Sequence, residues 1–516
     1  MKRPLLFILI LALAGASLAA QGPVTTRPSF PARDPGFTWD RANAAHLMRR
    51  AGFSASPQEI DRMVSQGFIA TLDELLEYET VDDSAMEEAL AARDYQLSRA
   101  VPQVEGLVLA NPVELNRWWL YRMINSRRQL LEKMTYFWHD HFATSLQEVN
   151  QVKPSTGRPL ILIQQDTFRE HALGNFKDLV HDMARDPAML IWLDNFLNVR
   201  NQPNENWARE LLELFTMGVD QYTEEDIQEA ARAFTGWTFD FDRMNPDEFD
   251  YDFLFIPVLH DFGPKTFLGR TGNWNGDDII NIIFEQDVTA EFIAAKLWEF
   301  LVYPDPDPGL IRQLGRVLRE NGYELKPLLR AIFRHPEFFS QRAYRGLMKA
   351  PVEAGVAFAR EMELESPEFL PFFINQMNQL LFLPPDVGGW TSGVGWVNTS
   401  TLLFRYDYYN DMLAIRQPVP VRNRETDVVR FVNPADLEGM VQRYGLVSEE
   451  DVVDHFVDRL LAGDATADEK LVLEDYLRRQ ADGTIGEFDI ANPVHIDTKV
   501  RGLAYLVTLL PAYQTN

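Results

Sequence analysis

The sequence predicts a mainly α-helical fold: a large multi-helical body with a small β-hairpin insert and a helical C-terminal region. Three observations carry this. From Asp40 onward, apolar residues recur at helical spacing through most of the chain. Helix-start signals punctuate that pattern: Ser56-Pro57, Thr223 before three acids, Ser448 and Thr466. Strand-like aromatic alternation is confined to Thr238–Phe241 and Asp252–Phe255, with Thr266–Leu268 as a third short piece.

In chain order, Met1–Ala20 has the parts of a signal peptide. Lys2 and Arg3 are basic, Leu5–Ala14 is apolar, and Ser17-Leu18-Ala19-Ala20 forms a small-residue cleavage site. Residues 21–35 read as an extended, Pro-rich leader, and 36–415 as the main helical domain with its β insert at 238–268. Within that domain, residues 80–105 are acidic and weakly patterned, which predicts an exposed helix and loop. Residues 416–432 read as a linker, and 433–516 as a C-terminal helical region packing on the main domain.

Composition narrows the function classes. The chain has no Cys, which removes disulfides, thiolate nucleophiles, Cys-ligated zinc and iron–sulfur clusters. The formal charge is −27, and loss of Lys2 and Arg3 with a signal peptide takes it to −29. Such a surface argues against nucleic acid and anionic membranes as partners. No later segment has the apolar length of a membrane helix, so the expected product is exported, periplasmic or extracellular, with no transmembrane segment after cleavage.

Two stretches concentrate chemistry. Asn204–Trp237 reads as two short helices meeting at Gly218. At about 100° per residue the first gathers Arg209, Glu210 and Glu213 on one stripe opposite Trp207, Leu211, Leu212 and Phe215. An Arg209–Glu213 pair on a solvated face explains the same spacing. In Arg128–His141, His141 continues the apolar stripe and His139 falls about 200° away, so one metal takes both imidazoles only if the helix ends near Asp140. A third cluster, His260-Asp261 with Lys265, surrounds a Gly-Pro turn, where an Asp261–Lys265 pair is the structural alternative.

The segment NENWARELLELFTMGVDQYTEEDIQEAARAFTGW resembles the signature of a bacterial family known as domain of unknown function 1800. HLMRRAGFSASPQEI, EKMTYFWHDHFATS, HDFGPKTFLG, FIAAKLWEFLV and VRGLAYLVTLLPAYQTN resemble it in the same order, over nearly the whole mature chain. The resemblance implies a mainly helical secreted protein and supplies no reaction.

From the residues, the first expectation is a metal-dependent, hydrolase-like enzyme. His139, His141, His260 and Asp261 would hold a divalent metal, and Glu210, Glu213, Arg209 and Lys265 would act on substrate. The alternative is a non-catalytic helical scaffold or binding protein in which the same groups form structural networks. A carbohydrate-binding variant uses Trp237, Trp274, Trp390 and Trp396, the last two in the Gly- and Pro-rich loop 384–398 suited to lining a pocket. No nucleophile elbow, zinc-protease helix, Walker loop or dinucleotide fingerprint occurs.

Overall fold

The structure is a computed structural model that describes residues 38–100, 107–152, 155–156, 159–239, 253–423, 427–480 and 482–516. The expected signal-peptide and leader segments (1–20 and 21–35) lie outside the described residues, as do the middle of the expected β insert and part of the expected linker. The protein is mainly helical, and its strands form only small antiparallel sheets. Among the described residues, no helix is long and apolar enough to cross a membrane.

Helix ends follow the local chemistry. Ser56 and Glu59 form a reciprocal capping box before Pro57–Gln66, as Thr223 and Asp226 do before Glu224–Ala233. Ser448 and Thr466 cap Glu449–Leu461 and Ala467–Arg478. Trp237–Phe239 pairs with Phe253–Phe255 in antiparallel register, and Lys265–Phe267 pairs with Arg270–Gly272.

Three local expectations are corrected. Residues 80–105 include the strand Ser98–Ala100, which joins Leu107–Ala110 and Ser155–Thr156 in a small sheet. The expected linker contains Val419–Arg422 paired with Val429–Val432, a hairpin whose Val432 is buried. The stripe around Glu210 is not on a regular α-helix: Asn206–Glu210 passes into a π-helix over Leu211–Thr216. There Met217 donates to the Leu212 carbonyl, 2.9 Å away. The wider turn changes the angular spacing on which a common Arg–Glu–Glu stripe rests.

Two large hydrophobic cores organise the protein. One joins Leu47, Met134, Trp138, Phe215, Phe234, Ile293 and Trp298. The other joins Trp119, Tyr136, Val356, Phe382, Tyr409, Val453 and Leu503, and so runs from the first third of the chain to its C-terminal helices. Helix Gln129–His141 serves both. Every residue from Gln129 to His139 is buried, and the helix has no solvent face in that span.

Such a helix must match each polar group internally. Glu132 accepts from Trp119 Nε1 at 3.0 Å and Arg122 Nε at 3.2 Å, and pairs with Arg169 Nη2 at 3.0 Å. Burial alone would raise its pKa, but Arg169, Arg122 and these hydrogen bonds bring it down to about 2. Lys133 is fully buried and pairs with Glu353.

Glu132→Gln should therefore destabilise the protein by ~3 kcal/mol or more at neutral pH, by stripping charge from between two guanidinium groups. A depressed carboxylate pKa contributes stability that is full above about 4.5 and lost as pH falls toward about 2. Urea unfolding of both proteins at pH 7 and pH 3.5 should show the gap narrowing in acid.

Candidate functional site

The expected metal ligands occupy separate settings. His139 is buried between Trp119 and Phe382, and its Nε2 accepts from the Phe382 amide at 2.9 Å. Burial holds its pKa near 3, so it is neutral with that lone pair occupied. His141 is the more exposed of the two, reversing the expected order, because the whole helix is buried and only its last turn reaches the surface. Its Nε2 lies 3.1 Å from the Phe215 carbonyl. His260 bonds the Thr235 carbonyl through Nδ1 at 2.8 Å, and Asp261 is held by Arg232 Nε at 2.7 Å. Among the described residues, no three His, Asp or Glu side chains are placed to hold one metal ion.

The expected substrate-facing groups are also distributed. Arg209 pairs with Glu205 at 3.1 Å and Glu224 at 2.8 Å rather than with Glu213. Glu213 instead accepts from the Tyr222 hydroxyl at 3.3 Å. The Glu210 carboxyl is pushed up by partial burial and by the charges of Glu213 and Asp386. Lys265 is buried and donates to the Asp261 and Gly263 carbonyls, so it braces the turn and makes no pair with the Asp261 carboxylate.

A different group meets the requirements of a working site. At the surface end of the buried helix, Asp140 lines a small, open cleft with Tyr136, Glu299, Gln379, Thr391, Ser392 and Trp396. Its Oδ1 accepts from the Trp390 amide at 2.9 Å, and it has no other hydrogen bond among the described residues. Burial pushes its pKa up to about 6, against smaller opposing effects from the Trp390 amide and Lys296. Tyr136 and Gln379 are joined at 2.6 Å, and Gln379 Oε1 accepts from the Val352 amide at 2.9 Å, which fixes the orientation of the wall.

The far wall is the Gly- and Pro-rich loop expected to line a pocket, and it closes on Asp140 through Gly389. Gly389 has φ +81°, and a Cβ there would lie 2.4 Å from Asp140 Oδ1 and 2.7 Å from its carbonyl oxygen. Trp390 and Trp396 pack together with Ala350 in a small cluster of their own. Trp396 is thus a buried, anchored part of the cleft wall. Sequence reasoning missed Asp140 because it sits between two histidines in a segment read for metal spacing. The available signal was the close approach required of Gly388-Gly389-Trp390.

Residues 46–515 match the model of a family described as a protein of unknown function, DUF1800. No curated protein and no solved structure matches the chain.

Gly389→Ala should cost ~2 kcal/mol or more, because left-handed strain adds to a clash with Asp140. Gly393 also has positive φ but has nothing within 4 Å of an added Cβ, so Gly393→Ala should cost ~1 kcal/mol. Equal losses for the two variants in denaturant unfolding would remove the special role of the Gly389–Asp140 contact.

Proposed function

The chain belongs to the DUF1800 family, and from that premise we propose that it is an exported hydrolase-like protein that binds a neutral, hydroxyl-rich ligand in the Asp140 cleft. The observation that carries this reading is an Asp140 carboxyl with a single hydrogen bond, its pKa pushed up to about 6 by burial, in a cleft walled by Tyr136, Gln379, Thr391, Ser392 and Trp396. Hydroxyl and amide groups suit a polyhydroxylated ligand. Export rests on the pattern of Met1–Ala20, and the net charge of −27 disfavours nucleic acid as the ligand.

Asp140 is the proton donor in this reading. Below about pH 6 it carries the proton that a departing glycosidic oxygen needs when its C–O bond breaks. Glu299, whose carboxyl is also raised by partial burial, lines the same cleft and is the base that takes a proton from the attacking water. The water oxygen bonds to the sugar carbon, and the leaving sugar departs as an alcohol. The metal-dependent reading has weaker support, since His139, His141 and His260 are each engaged by backbone groups.

Asp140→Asn keeps an acceptor for the Trp390 amide and removes the proton donor. Reducing-sugar release from neutral oligosaccharides should be lost in the variant, and in the wild type it should fall as pH rises through about 6. Stability should move the other way. A carboxyl whose pKa is raised in the fold destabilises the protein increasingly as pH climbs from its ordinary value of 3.8 to about 6. The variant should thus be more stable than wild type by up to ~3 kcal/mol at pH 7.5 and no more stable at pH 3.5. If wild type neither cleaves nor binds the oligosaccharides in calorimetric titration, the proposal fails. N-terminal sequencing of the mature protein should begin at Gln21.

A further inference from the structure

Arg49, Arg50, Lys349 and Arg405 are each at most 5% exposed and lie close enough to repel one another, forming a buried cationic cluster behind the Leu347–Ala350 side of the Asp140 cleft. Arg405 donates to the Lys349 carbonyl at 3.0 Å, and the Lys349 amide donates to the Gln514 carbonyl at 3.0 Å. Arg50 donates to the Ala343 carbonyl, and Arg49 lies 5.4 Å from the Tyr344 ring centre. Lys349 Nζ sits 4.1 Å from the Tyr513 ring centre.

These cations are under-matched. Arg49 Nε and Nη2, Arg50 Nε and Nη1, Lys349 Nζ and Arg405 Nε are buried with no hydrogen-bond partner among the described residues. The nearby carboxylates are largely engaged. Glu353 is paired with Lys133, and Asp464 is paired with Arg345. Glu361 is buried and accepts from Ser54 Oγ and the Tyr513 hydroxyl, both at 2.6 Å. Burial, then repulsion from Arg49, pulls the Arg50 pKa down to about 9. Lys349 is lowered by burial, with Glu361 opposing and Arg345, Arg49 and Arg405 adding to the shift.

Deprotonating Lys349 relieves one charge but leaves the guanidinium groups, which stay protonated in proteins. A buried charge is retained only where it is paired and hydrogen-bonded. We propose that this cluster binds a small inorganic anion, which accepts from the free N–H groups and joins the Arg49 helix to the 343–349 segment and the C-terminal turn. A guanidinium fork suits phosphate or sulfate, and chloride meets the same charge requirement. The anion contacts use neither Asp140 nor Glu299, so this proposal and the proposed hydrolysis can each fail without the other.

The test uses the full mature chain, exchanged into gluconate buffer at fixed pH and ionic strength. Ion chromatography of the denatured protein should release about one phosphate, sulfate or chloride per chain. If the anion is lost on exchange, adding back one of the three salts should raise Tm along a saturating curve. In Lys349→Met, and separately in Arg405→Gln, the half-saturating concentration should rise at least about tenfold. Release below about a tenth of an equivalent, together with a Tm that follows all three salts without saturating, would overturn the proposal whether or not the variants fold.

Discussion

The rest of the structure depends on burying helix Gln129–His141 on all sides. A helix with one apolar stripe belongs to one core. This one supplies Met134 and Trp138 to the first core and Tyr136 to the second. Its polar and charged groups consequently face protein instead of water, and each dictates a partner elsewhere. Glu132 draws in Arg122 and Arg169, Lys133 draws in Glu353, and His139 fixes the Phe382 amide. Low effective dielectric makes these pairings strong when complete and costly when broken. The helix thus ties segments far apart in sequence into one arrangement.

Asp140 is where that matching stops. Glu132 and Lys133 deeper in the helix are paired with buried charges, while Asp140 keeps one hydrogen bond and a raised pKa at the edge of a cleft. A carboxyl so placed costs stability near neutral pH, which is expected where a group is kept for chemistry rather than for folding. The cationic cluster has the same character with opposite sign. It too draws on distant segments: Arg49 and Arg50 lie in HLMRRAGFSASPQEI, and Tyr513 and Gln514 in VRGLAYLVTLLPAYQTN. Segments that carry the family resemblance therefore meet at these two places.

Legibility in the sequence followed the range of the interactions. Helical class, the Ser56, Thr223, Ser448 and Thr466 caps and the Trp237–Phe239 hairpin arm were readable, because each is set within a few residues. The π-helix at Leu211–Thr216 was not, since it depends on tertiary packing around Phe215 and not on propensity. His139 and His141 were assigned opposite exposures because a helix buried all round has no polar face for periodicity to find. The Gly- and Trp-rich loop was read as a pocket wall, but its partner Asp140 lies 250 residues away from Trp390. Arg49 and Arg50 carry no short-range signal, because their packing against 343–349 joins segments about 290 residues apart.

The most direct measurement of the central claim is the titration of Asp140 itself, followed through the carboxyl carbon of selectively labelled aspartate and assigned with Asp140→Asn. The buried helix and its closing loop predict a midpoint near 6, shifted when a neutral oligosaccharide fills the cleft. A midpoint at or below the ordinary aspartate value of 3.8 would contradict the account, because the carboxyl would then be a solvated surface charge and the cleft would have no proton donor.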